Sequence, residues 1–100
     1  MMRMGFGLVL VCAMALPAMA SEKRKKSCAA TRDIVATAVE GRKGGLKPGT
    51  IKARLLTGDA AVGETYQPTV EPLVDWVFGL DKSMLTDATV AQYETQCLNY

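Results

Sequence analysis

The sequence contains no histidine, and this absence removes several classes of chemistry. Histidine is the usual general base, the commonest metal ligand and the side chain that changes charge near neutral pH. A serine or cysteine nucleophile would therefore lack its ordinary base. The basic, glycine-rich stretch 41–45 also lacks the Gly-Lys-Ser/Thr ending of a phosphate loop. We predict a protein that is not an enzyme and that holds no metal and no cofactor.

Cysteine, aromatic residues and net charge are also scarce. The chain has 3 cysteines, 6 aromatic residues and a formal charge of +2 over 100 residues. This length allows one small domain and excludes a multidomain enzyme. The balanced charge and the 49% hydrophobic content exclude a mostly disordered acidic or basic tail.

The hydrophobic residues are concentrated at the N-terminus, where residues 1–20 have the pattern of a secretory signal peptide. Sixteen of these 20 residues are hydrophobic, and Arg3 precedes the apolar stretch. Ala18 and Ala20 form an A-x-A cleavage motif. The run is short for a membrane span, which needs about 20 apolar residues. We predict a periplasmic or secreted mature chain, with an uncleaved N-terminal anchor as the alternative.

A run of positive charge follows the predicted cleavage site. Residues 21–27 are predicted to form a basic, flexible arm, and its cations are Lys23, Arg24, Lys25 and Lys26. The arm is either a solvated segment or a contact for an anionic lipid, an envelope polymer or an acidic partner. Nucleic acid is disfavoured by the predicted export and by the lack of aromatic residues near the arm.

Charge is segregated along the rest of the chain as well. Residues 21–54 carry a net charge of +7, whereas residues 55–100 carry −6. The small overall charge hides this separation, and four of the positive charges belong to the arm.

Two cysteines remain after the predicted cleavage, Cys28 and Cys97. In an oxidising compartment they have one available pairing, and free buried thiols are the alternative. Closing this loop is expected to stabilise the fold by about 4 kcal/mol on the chain-entropy view.

Apolar periodicity predicts an all-α domain over residues 28–100, a bundle of three to four helices joined by one disulfide. Helical spacing covers residues 27–42, 50–57 and 70–80, and a fourth helix begins at Thr86 and carries Cys97 on its inner face. Thr50 and Thr69 are the predicted N-caps of the second and third helices. Gly44 and Gly45 are predicted to end the first helix.

Arg42 is unusual because it lies on the apolar face of the first helix. One interpretation is that its stem covers the core while its guanidinium binds carbonyl groups at a helix end. The other is a structural ion pair with an acidic residue from the C-terminal half. Trp76, on the flank of the third helix, is predicted to pack into the core, and an exposed binding patch that also includes Tyr66 is the alternative.

The spacing of several residues in the first helix resembles that of a set of small exported bacterial proteins of unknown function. The shared pattern is Cys28-x5-Ile34-Val35-x2-Ala38-Val39-x2-Arg42-x2-Gly45. The resemblance implies a signal peptide, a hydrophobic middle helix and a Cys near the C-terminus, but it implies no activity. Here Lys43 replaces the Gln that often follows the arginine in that set.

The architecture is also similar to that of the HdeA/HdeB type of periplasmic acid chaperone, which is small, helical and single-disulfide. The segment 64–69, Glu-Thr-Tyr-Gln-Pro-Thr, has a faint similarity to a segment of that family, although the position of Cys28 differs. From the sequence we expect a non-catalytic binding or inhibitor protein whose partner is a protein or an envelope component. An acid-stress chaperone is the alternative function.

Overall fold

The computed structural model describes the backbone of residues 2–99 and the side chains of residues 21–99. Within residues 2–99 the chain forms four α-helices and no strand. The helices are α1 (Met2–Lys43), α2 (Pro48–Thr57), α3 (Gln67–Phe78) and α4 (Asp87–Leu98). Two short 3-10 turns, Glu64–Tyr66 and Lys82–Met84, precede α3 and α4. The predicted all-α fold is confirmed.

The first helix is longer than predicted. α1 runs without a break through residues 21–27, the predicted flexible arm, and the side chains of residues 21–26 are exposed. No change of backbone therefore separates the arm from the domain. The predicted signal peptide, with Ala18 and Ala20, lies outside the residues whose side chains are described. In the described part of the chain, no helix combines the length and the hydropathy that a membrane span requires.

Glycine and proline set most of the other helix ends. α1 ends at Lys43, as predicted, and Gly45 then has a φ of 85°, a conformation that favours glycine. α2 begins at Pro48 rather than after Thr50, because proline fits the first helical turn and has no amide hydrogen to leave unpaired.

Threonine acts as predicted at only one helix start. α3 begins at Gln67, and the Thr69 hydroxyl donates a hydrogen bond to the Tyr66 carbonyl instead of capping the helix. Thr86 caps α4 as predicted, since its hydroxyl accepts from the Thr89 amide at 3.3 Å. The hydroxyl caps predicted at Thr50 and Thr69 are therefore wrong.

The core lies between α1, α2 and α3. These helices contribute nine apolar side chains that are at most 1% exposed, namely Ile34, Val35, Ala38, Val39, Ile51, Leu55, Val70, Val74 and Val77. The members from α1 recur at helical spacing, so one stripe of α1 faces the core. Leu85 closes the core from the loop before α4 and is 8% exposed.

α4 joins this core with much less apolar burial. Its one buried residue among residues 87–98 is Thr89, which is 6% exposed, and Val90 and Tyr93 are half-buried against the core. Contacts between the N-terminal half of the described α1 and the C-terminal half of α4 show that the two helices run antiparallel. Burial alone therefore holds α4 less firmly than it holds α2 or α3.

Candidate binding surface

The predicted disulfide is present and joins α1 to α4. Cys28 and Cys97 are bonded, with their Cα atoms 5.7 Å apart. Cys28 is 1% exposed, whereas Cys97 is half-buried beside solvent. The bond ties the C-terminal end of α4 to the point where α1 leaves the core.

An ion pair joins the same two helices one turn further along. The Arg32 guanidinium donates to the Glu94 carboxylate at 3.3 Å and to the Asp33 carboxylate at 2.9 Å. The hydrogen bond to Asp33, followed by the charge of Glu94, raises the pKa of Arg32. Because these side chains are partly exposed, the pair contributes little to the stability of the fold.

An open depression of about 520 Å³ lies beside the disulfide. Arg24 and Ser27 of α1 line one side, and Tyr93 and Gln96 of α4 line the other. The disulfide thus brings Arg24 next to the ring of Tyr93, which comes from the opposite end of the sequence. We call the four consecutive cations at residues 23–26 the basic segment.

Trp76 extends this surface from α3. Its ring centroid lies 5.9 Å from that of Tyr93, at an interplanar angle of 44°, and the residue is 42% exposed. The prediction that Trp76 packs into the core is therefore wrong. At about 100° per residue, Trp76 lies well off the stripe formed by Val70, Val74 and Val77.

The basic segment is the turn of α1 next to this depression, and its side chains point to all sides of the helix. All four cations, Lys23, Arg24, Lys25 and Lys26, are exposed. Lys25 lies 3.7 Å from Glu22 in a solvent-exposed pair, and no other ion pair involves this segment among residues 21–99. We call the basic segment, the disulfide, Ser27, Trp76, Tyr93 and Gln96 together the disulfide-end surface.

Arg42 does not belong to the disulfide-end surface, and its guanidinium binds backbone carbonyls at the C-terminal end of α3. Its Nη1 atom donates to the carbonyls of Val77 at 2.7 Å and Leu80 at 2.6 Å, and its guanidinium carbon lies 5.6 Å from the centre of the Phe78 ring. Among residues 21–99 no ion pair includes Arg42. The guanidinium therefore binds the C-terminal end of α3, where the helix dipole favours a cation, and the alternative of an ion pair is not what the structure shows.

Metal-binding clusters and unpaired buried polar atoms are both absent from residues 21–99. No group of three Cys, Asp or Glu side chains in this part of the chain is arranged to hold a metal ion. Within residues 21–99 every buried side-chain nitrogen or oxygen has a hydrogen-bond partner, so none is held ready for a ligand inside the fold. The acid pair Glu71 and Asp75 lies on the exposed face of α3, where Asp75 binds Lys52 at 2.8 Å.

The sequence predicted the cysteines and the cations of this surface, but it offered Trp76 only as the alternative to core packing and did not place Tyr93 on it. Tyr93 shares a helix face with Cys97, and that spacing was the available signal for its place beside the disulfide. Nothing local signals that Trp76 meets Tyr93, because the contact depends on how α3 and α4 each pack against α1. No protein-family model, curated protein or solved structure matches this chain.

Proposed function

We propose that this chain is an exported, non-catalytic binding protein that contacts a partner in the cell envelope through the disulfide-end surface. The observation that carries the proposal is that the exposed cations of α1, the half-buried ring of Tyr93 on α4 and the exposed ring of Trp76 on α3 lie around one disulfide. Arginine, tyrosine and tryptophan are the side chains that most often dominate binding energy at interfaces.

The cross-link supports binding because it holds the surface in place before a partner arrives. Cys28 is anchored at the edge of the core, and the bond to Cys97 fixes Tyr93 and Gln96 on the next turn of α4. A surface that is already ordered loses less conformational entropy when it binds.

Export is tested by expressing the full chain in a bacterial host and fractionating the cells. We expect a periplasmic or secreted product whose intact mass corresponds to residues 21–100. Reduction is expected to raise this mass by about two hydrogens, since one disulfide is closed. Cytoplasmic protein that retains residues 1–20 would contradict the proposal.

Binding is tested by placing a photo-reactive benzoylphenylalanine at Gln96 in the exported protein. Irradiation of intact cells is expected to give a discrete cross-linked product, because Gln96 borders the depression beside the disulfide. The matched control places the same group at Thr57, an exposed residue at the C-terminal end of α2. Equal yields at the two positions would show that the disulfide-end surface has no preferred partner.

An acid-activated chaperone is the second candidate, and the ion pairs favour it. Two pairs join different helices in the described part of the chain, Arg32 with Glu94 and Lys52 with Asp75. Each needs an ionised carboxylate, so acid removes both and leaves the lysines and arginines to repel one another.

This candidate makes a distinct prediction near pH 2–3. We expect the oxidised protein to expose apolar surface there, to bind a hydrophobic dye and to suppress aggregation of a second protein. A cooperatively folded protein that binds no dye at that pH would remove the candidate and leave the first proposal intact.

A further inference from the structure

We propose that the disulfide-end surface docks on a phospholipid bilayer that carries anionic headgroups. In this geometry the basic segment binds headgroup phosphates, and the rings of Trp76 and Tyr93 lie at headgroup level. The inference rests on the proposed function and names the chemistry of the partner.

The arrangement of the cations favours a bilayer over a shaped protein pocket. Residues 23–26 are consecutive in a helix, so their side chains point in four directions about 100° apart. A protein pocket would contact one or two of them at a time. A field of phosphates attracts all of them, since the potential of an anionic membrane extends about one Debye length from its surface.

Neighbouring acidic groups leave the segment positively charged. Glu22 is the acid that pairs with it, at 3.7 Å from Lys25. The carboxylates of Glu94 and Asp33, which lie one turn further along, are both bound by Arg32. The surface that includes Arg24 therefore presents an excess of positive charge to solvent.

The aromatic residues add the second property that an interfacial protein needs. Trp76 is 42% exposed and packs against Tyr93, and Tyr93 shares its depression with Arg24. Leu98, directly after the disulfide, is 37% exposed. Tryptophan and tyrosine rings are enriched at the level of lipid headgroups, where an apolar body and a polar edge both find partners.

The test uses protein purified from the exporting host and sedimentation with vesicles. One set of vesicles contains phosphatidylglycerol and the other contains phosphatidylcholine alone. We expect binding to the anionic vesicles only, weakening as salt is added. Trp76 is the single tryptophan of the chain, so its fluorescence is expected to shift to the blue on binding.

A matched pair of charge variants locates the contact. The first variant replaces each of residues 23–26 with glutamine. The second makes the same replacement at four exposed cations outside the segment, Lys43, Lys47, Arg54 and Lys82. Each cation near an anionic membrane strengthens binding about fivefold. The first variant is therefore expected to lose roughly 100-fold or more in affinity and the second less than tenfold.

Several outcomes would overturn the inference. Equal losses in the two variants would show that net charge, rather than this surface, drives binding. Binding without a change in the Trp76 spectrum would exclude the aromatic residues from the contact. No binding to anionic vesicles, together with a protein cross-linked specifically from Gln96, would reject the bilayer but retain the proposed function. No vesicle binding and no specific cross-link would reject both.

Discussion

The described part of α1 has two regions that are held to the rest of the protein by different interactions. Residues 34–42 are held by burial, because their apolar stripe packs against α2 and α3 and Arg42 binds the end of α3. Residues 21–33 are joined to α4 by the disulfide and the Arg32 ion pair, and they carry the exposed cations of residues 23–26. The comparison separates a region stabilised by apolar burial from a region stabilised by a covalent bond and an ion pair, and the second region carries the surface that we propose for binding.

Removing the disulfide is expected to have the largest effect. The variant Cys28→Ser/Cys97→Ser should lose about 4 kcal/mol of unfolding free energy, since the closed loop is long. Urea unfolding measures the loss. Hydrogen exchange is expected to show α4 amides losing protection before α3 amides, because α4 buries little apolar surface. Equal loss of protection in α3 and α4 would mean that the core helices and the disulfide-linked helix α4 unfold as one unit.

Removing the Arg42 guanidinium tests the core region. We expect the free energy of unfolding to fall by about 2 kcal/mol, because two carbonyls lose a charged donor. The variant is Arg42→Leu, measured by urea unfolding. Arg42→Lys is the control, since it keeps the charge but not the planar donor group, and we expect it to recover part of the loss. Full stability in Arg42→Leu would show that the cap on α3 is dispensable.

A methyl group added at Gly41 is expected to cost about 1 kcal/mol. Its Cβ would lie 2.7 Å from the Cδ1 atom of Ile51, so the buried Ile51 side chain would have to shift within the core. The matched control is Gly49→Ala in α2, where no atom lies within 4 Å of the added carbon. That variant is expected to be more stable by about 0.5 kcal/mol. Thermal melts of both variants check the difference. Equal changes in melting temperature would contradict the close contact between position 41 and Ile51.

The smallest effect is expected at the ion pair between α2 and α3. The hydrogen bond to Asp75 raises the pKa of Lys52 above its ordinary value of 10.5. Above the acid range the pair therefore contributes fully, and its contribution disappears as the pH rises through the raised pKa of Lys52. Lys52→Met is expected to be slightly less stable at pH 7 and equal to the natural protein at strongly alkaline pH. Melting temperatures of both proteins, measured from pH 7 to strongly alkaline pH, test whether the stability difference shrinks as the pH rises.

Local patterns were enough to predict much of this protein. The apolar spacing at Ile34, Val35, Ala38 and Val39 predicted which face of α1 is buried, because a helix exposes one stripe to its neighbours. Two cysteines at opposite ends of the domain left one pairing, and an antiparallel first and last helix was needed to form it. The all-α class and the disulfide therefore followed from the sequence.

Only the tertiary structure decided the environments that depend on distant residues. Trp76 is exposed against Tyr93, and Arg42 binds carbonyls 35 and 38 residues away, because α3 packs between these partners in a way that no local spacing encodes. The sequence by itself determined which residues carry charge, apolar surface and sulfur. The packing angles of the helices decided which of them meet, since contacts between helices depend on side chains far apart in the chain.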